Sequence, residues 1–186
     1  MKAVRTITMA ALGLVLLAGP AMAETIKDFE GHFVGMGVTR VKQPTGSIAA
    51  RDRDLDVVII AGADGGFSVS WKTIYLYRWT KSEKSKKHFS TLTFKPTDKK
   101  NVWRAVRSGD PLKGRAMVWA RLDDKVLKIY VIAADPEGGL ATAIYERRIT
   151  KQGMQLRFLS TRDGKQVRSV NAVLRRAKPE KKMEKK

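Results

Sequence analysis

There is no cysteine anywhere in the 186 residues. That excludes disulfides, thiolate metal sites, a cysteine nucleophile and a lipid-modified N-terminal cysteine, and leaves stability to the core. Histidine is nearly as scarce, with only His32 and His88, and no Gly-x-Ser-x-Gly nucleophile elbow accompanies either. Two histidines and a carboxylate are enough for zinc in principle. Their surroundings show no ligand spacing, so both read as ordinary strand residues, and no metal or cofactor is expected. Acid is in short supply too: 18 Asp and Glu stand against 37 Lys and Arg, a net +19. No stretch before the C-terminal tail carries a useful helical period. Beyond the N-terminus no apolar run is long enough to cross a bilayer as a helix.

Residues 1–23 have the three parts of a secretory signal peptide. Lys2 and Arg5 form a basic start, Ile7 to Ala18 is apolar, and Ala21-Met22-Ala23 is a small-residue cleavage site. The exported chain is expected to begin at Glu24, and a periplasmic or secreted location follows. Without Lys2 and Arg5 the chain keeps 35 basic residues against the same 18 acids, a net +17.

What the sequence has in abundance is β-strand grammar. Its centre is Leu55 to Trp79. Val57-Val58-Ile59-Ile60 precedes Ala63-Asp64-Gly65-Gly66, and an Asp-Gly pair between β-prone runs signals a tight hairpin. With Asp64 and Gly65 as a two-residue type I′ turn, Ile60 falls opposite Val69 and Val58 opposite Trp71. Phe67, Val69, Trp71, Thr73, Tyr75, Tyr77 and Trp79 then share one face, the expected core seam. The pattern repeats through His88–Thr97, Val102–Arg107, Ala116–Leu122, Val126–Ala133, Leu140–Thr150, Met154–Thr161 and Val167–Arg175. Short turns such as Asp98-Lys99-Lys100-Asn101 and Lys151-Gln152-Gly153 separate these runs. Ahead of the hairpin, Gly31–Val41 reads as a glycine-bearing first strand. Asp52, Asp54 and Asp56 resemble the start of a calcium loop, but Val57 occupies the position that needs glycine and Ala63 the one that needs Glu. They read as one charged face of a strand.

The expected fold is therefore all-β. An antiparallel meander of about nine or ten strands over residues 24–176 closes into a barrel or coils strongly. A sandwich is the fallback, and residues 177–186 form a basic, disordered tail. Gly31-His32-Phe33 on the first strand and Arg175 and Arg176 on the last resemble a feature of the calycin superfamily, the lipocalin-like and avidin-like secreted barrels. There a Gly-x-Trp on the first strand is covered by a basic side chain from the last. The resemblance implies the barrel, with Arg175 or Arg176 over Phe33 in place of the tryptophan, and it transfers no ligand.

Two sets of residues point outward from the fold to function. Trp71, Tyr75, Tyr77 and Trp119 are candidates to contact an apolar ligand in a barrel cavity. The stretch Arg78–Arg107 holds ten basic residues against Glu83 and Asp98, and Lys84, Lys86, Lys87, Lys99 and Lys100 are candidates to meet an anionic surface. Anionic lipid, lipopolysaccharide, a small apolar ligand or a protein partner fit this chain; export argues against nucleic acid. A non-enzymatic binding protein of the cell envelope is the first expectation, and a structural or assembly factor using a sheet face is the second. A hydrolase built on His32 or His88 is the third, with Glu146 and Asp123 or Asp124 as conceivable paired carboxylates.

Overall fold

The computed structural model describes residues 25–75 and 87–177. Ten strands follow in order: β1 (Gly31–Lys42), β2 (Ile48–Ala61), β3 (Phe67–Tyr75), β4 (Lys87–Pro96), β5 (Val102–Ala105), β6 (Met117–Asp123), β7 (Val126–Ala134), β8 (Leu140–Thr150), β9 (Gly153–Arg162) and β10 (Lys165–Arg176). Each pairs antiparallel with its chain neighbours, and β1 pairs with β10 as well, so the sheet closes on itself. Closure satisfies the backbone groups that the first and last strands of an open meander would leave unpaired. The up-and-down path sorts the connections into two sets. The turns at 62–66, 97–101, 124–125 and 151–152 share one end with the N-terminal 3₁₀ turn Ile26–Phe29, and those at 43–47, 106–116, 135–139 and 163–164 lie at the other.

The hairpin at the centre of the sequence forms, with one correction. Its loop has three residues rather than two: Gly62 N donates to Gly66 O at 2.8 Å, and Gly65 N donates to Gly62 O at 3.2 Å. Only Gly65 of the three, at φ 78°, is left-handed. This is a type I turn closed by a left-handed glycine. The extra residue moves the register by one, so that Val57 faces Trp71, Ile59 faces Val69 and Ala61 faces Phe67. A one-residue shift turns every side chain to the other face. Val57 and Ile59 are accordingly buried, and Ile60, expected inside, is 55% exposed.

The closed end of the barrel is densely packed. Phe67 stacks on Phe94 with ring centroids 4.7 Å apart and meets Trp103 edge-on at 5.4 Å. Trp103 Nε1 donates to Gly65 O at 2.8 Å, tying β5 to the hairpin turn. Phe29 of the 3₁₀ turn and Phe33 of β1 are completely buried. Arg176 lies over the Phe33 ring at 4.8 Å and donates to the Glu30 carbonyl at 2.6 Å. Gly31 makes this possible: a Cβ there would collide with the Arg176 guanidinium, and its φ of 146° suits glycine. The arrangement expected for Gly31-His32-Phe33 is therefore present, with Arg176 rather than Arg175 as the cover.

Candidate functional site: an arginine-lined cavity inside the barrel

Away from the plugged end, the inward-facing residues of five strands leave a cavity of about 320 Å³. β2 contributes Arg53, Leu55 and Val57, and β3 contributes Trp71 and Thr73. β8 supplies Tyr145 and Arg147, β9 supplies Leu156 and Phe158, and β10 supplies Arg168 and Val170. Each set follows the two-residue period of its strand. The three rings form a chain, with Tyr145 5.5 Å from Trp71 and 4.6 Å from Phe158.

Three arginines line this space, and among the described residues no carboxylate does. Arg147 is 1% exposed and pairs in register with Leu127 on one side and Leu156 on the other. Its guanidinium carbon stands 5.5 Å from the Tyr145 ring centre, and its Nε and Nη1 have no hydrogen-bond partner. Burial pushes the Arg147 pKa down to about 10, while the nearby Tyr145 works in the other direction. Burial also pushes the Tyr145 phenol up, with Arg147 and Arg168 opposing it. Arg53 is buried beside Leu55. Arg168 is exposed at the mouth, its guanidinium carbon 5.6 Å from the Phe158 ring centre. The β9–β10 register shifts between Gln166 and Arg168, and from there Arg168, Val170, Ala172 and Leu174 share the inward face.

A larger concavity, about 700 Å³, lies on the outer wall across β1, β10, β9, β8 and β7. Lys128, Glu146, Arg148 and Arg157 line it together with Met36 and Val173. Its charges are mixed, and Glu146 stands 3.9 Å from Arg157. Water can solvate and screen charges on an open wall, so this concavity makes a weaker case for a specific ligand than the interior does.

The residues singled out from the sequence scatter. Trp71 is on the cavity wall. Trp119 is not: the alternation of β6 turns it outward, where it stacks on Tyr130 of β7 at 4.9 Å. Tyr75 is the last described residue of β3 and pairs in register with Arg53, whereas Tyr77, Lys84 and Lys86 fall outside the described residues. Lys87 begins β4, while Lys99 and Lys100 follow its far end in the turn at 97–101. Ten residues of strand span roughly 30 Å at about 3.3 Å each. Lys87 therefore lies at the opposite end of β4 from Lys99 and Lys100.

Asp52, Asp54 and Asp56 lie on the outer face of β2, and among the described residues no cluster of metal-ligating side chains forms. Asp56 Oδ1 sits 2.8 Å from His32 Nε2, with both side chains well exposed. Among the described residues no hydroxyl hydrogen-bonds this histidine, so a nucleophile for a triad is missing from the pair's contacts. His88 lies on β4. Asp123 is held by Arg121 and Lys128 on the outer wall, and Glu146, in register with Lys128, stands 3.9 Å from Arg157.

Arg147, Arg53, Arg168, Tyr145 and Phe158 escaped the reading of the sequence. A signal for Arg147 exists. In Leu140–Thr150 the residues Ala141, Ala143, Tyr145, Arg147 and Ile149 share a parity, which sets one arginine among apolar partners. For Arg53 the signal was hidden by the hairpin register, which had turned its parity outward.

The class defined by this fold is a closed, ten-stranded antiparallel barrel with an interior cavity. No protein-family model and no curated protein sequence matches the chain. It is similar to the crystal structure of Rv2717c from M. tuberculosis, with a TM-score of 0.49 and 12% identity over 81% of this chain and 93% of that one. It is also similar to the S-type phycobiliprotein lyase CPES from Guillardia theta, with a TM-score of 0.37 and 10% identity over 82% of this chain and 90% of that one. Neither likeness bears on the chemistry of the cavity.

Proposed function

We propose that this protein is an exported, non-enzymatic binding protein of the cell envelope, holding a small apolar or amphipathic ligand inside a calycin-type barrel. The cavity carries the reading. Its volume of about 320 Å³ falls at the small end of the usual range for ligand pockets, about 300–1,000 Å³. Its aromatic and aliphatic lining supplies the apolar contacts, and its polar groups are few. Calycin-type architecture is supported by the meander's closure and by Arg176 over Phe33 next to Gly31. Export rests on the signal peptide of residues 1–23. The test is native mass spectrometry of the protein purified from its own envelope. A co-purified small molecule, released on unfolding, supports the reading. A bare chain that also binds no member of a panel of fatty acids, alcohols and aromatic probes overturns it.

A second reading, an assembly factor with a sheet face against a protein partner, draws on one observation. Val34, Met36 and Val173 are exposed on the paired outer faces of β1 and β10. The same mass spectra would report such a partner as a bound chain rather than a small mass.

A further inference from the structure

We infer that the cavity's ligand is a small anionic amphiphile, an acid with an apolar body, whose charged head is held by Arg147 deep in the barrel. The inference rests on the proposed binding function and specifies its ligand. An arginine with almost no exposure, two nitrogens without a hydrogen-bond partner and, among the described residues, no carboxylate in the surrounding wall is an unbalanced charge in an apolar setting. Breaking a buried ion pair by removing one partner strongly destabilises a protein, and Arg147 stands in the position of the partner left behind. The Tyr145 ring face, 5.5 Å away, offsets part of this and leaves the N–H donors unmet.

The surroundings say what would complete the site. Among the described residues the lining carries no acid beside Arg147 and Arg168, so it disfavours a cation. A neutral ligand can accept a hydrogen bond from Arg147 but leaves its charge uncompensated. An anion supplies both the charge and the acceptor atoms, and a planar guanidinium can grip a carboxylate or phosphate with two parallel hydrogen bonds. Trp71, Tyr145 and Phe158 then form an apolar wall for the body of the molecule, touching side by side along the cavity. Arg168 lies exposed at the mouth above Phe158, on the route by which an anion would enter. Ordered water is the competing occupant: the cavity's volume of about 320 Å³ holds several molecules at about 30 Å³ each.

The experiment is isothermal titration calorimetry on the exported chain with four ten-carbon probes: decanoate, decyl phosphate, decanol and decylammonium. Decanoate or decyl phosphate should bind at least tenfold more tightly than decanol, and decylammonium should not bind. Whichever of the two acids is preferred identifies the head group. Arg147→Met should lower affinity for the preferred acid at least tenfold while leaving decanol binding equal or stronger. Arg147→Lys keeps the charge and loses the fork, and should fall between wild type and Arg147→Met. Should Arg147→Met not fold, Arg147→Lys together with the wild-type comparison decides the matter. Equal affinity for acid and alcohol in the wild type would overturn the anionic assignment while leaving the binding function standing. No binding of any probe would overturn the assignment and count against the function with it. An unchanged acid affinity in the Arg147 variants would place the head group elsewhere and overturn the role given to this residue.

Discussion

At Arg147 the chain keeps a charge where its neighbours Leu127, Leu156 and Tyr145 would suit an apolar side chain. Burial pushes its pKa down to about 10, so keeping the side chain charged costs folding free energy. The sign follows from proton binding. From about pH 10 up to the ordinary arginine range the unfolded chain holds the proton more tightly than the folded one, so this residue's contribution to stability improves as the pH rises through that window. Below pH 10 the full penalty is present. Arg147→Met should therefore stabilise the unliganded protein at pH 7 by about 1–4 kcal/mol, as apolar replacements of buried charges do. Urea unfolding measures this, and the gap to wild type should narrow above pH 10. A loss of stability instead would mean that the guanidinium serves the fold. Gain in stability alongside loss of acid binding is the trade expected of a residue kept for function.

Among the elements, the two devices that hold the plugged end are the β2–β3 turn and the cover over Phe33. Gly65 sits at φ 78° with open space around a would-be Cβ, so strain rather than collision governs its replacement. Gly65→Val should destabilise by about 1–3 kcal/mol, the range for a non-glycine residue held in a sparsely populated backbone region. Arg176→Ala loses the contact with the Phe33 ring and the hydrogen bond to Glu30 O. Its loss should be about 2 kcal/mol, given roughly 0.5–1 for an exposed cation–π pair and about 1.5–3 for a charged hydrogen bond, partly replaced by water. Chemical denaturation of both variants checks these values. A wild-type midpoint for Arg176→Ala would show that the 3₁₀ turn closes the barrel without it.

For the whole molecule, the charge excess and the proposed leader make one linked prediction. The exported chain should start at Glu24 by N-terminal sequencing. At about +17 it should bind anionic vesicles in a salt-sensitive way, because the screening length falls to about 8 Å at physiological ionic strength. Near such a surface each basic residue contributes about 1 kcal/mol. Reversing Lys84, Lys86 and Lys87 to Glu should weaken vesicle co-sedimentation. Equal binding to neutral vesicles, or no loss in the triple variant, would return this charge to a role in solubility.

The sequence by itself determined the strands and their order. Period-two alternation and short turns leave little choice but a meander; that it closes, rather than coiling open or splitting into a sandwich, was decided by the pairing of β1 with β10. The cover over Phe33 was legible through the resemblance to calycin barrels, with Arg175 and Arg176 both open until the structure placed Arg176 there. Which residues face inward was decided in three dimensions. One additional loop residue at Gly62–Gly66 reversed the side of β2 that is buried, bringing Arg53 in and sending Ile60 out. Trp119 and Trp103 look alike in sequence, yet adjacent strands place one outside and one in the core. The cavity itself is a property of closure. Arg147 on β8 and Trp71 on β3 lie far apart in the chain, and they become neighbours of one space only when β10 meets β1.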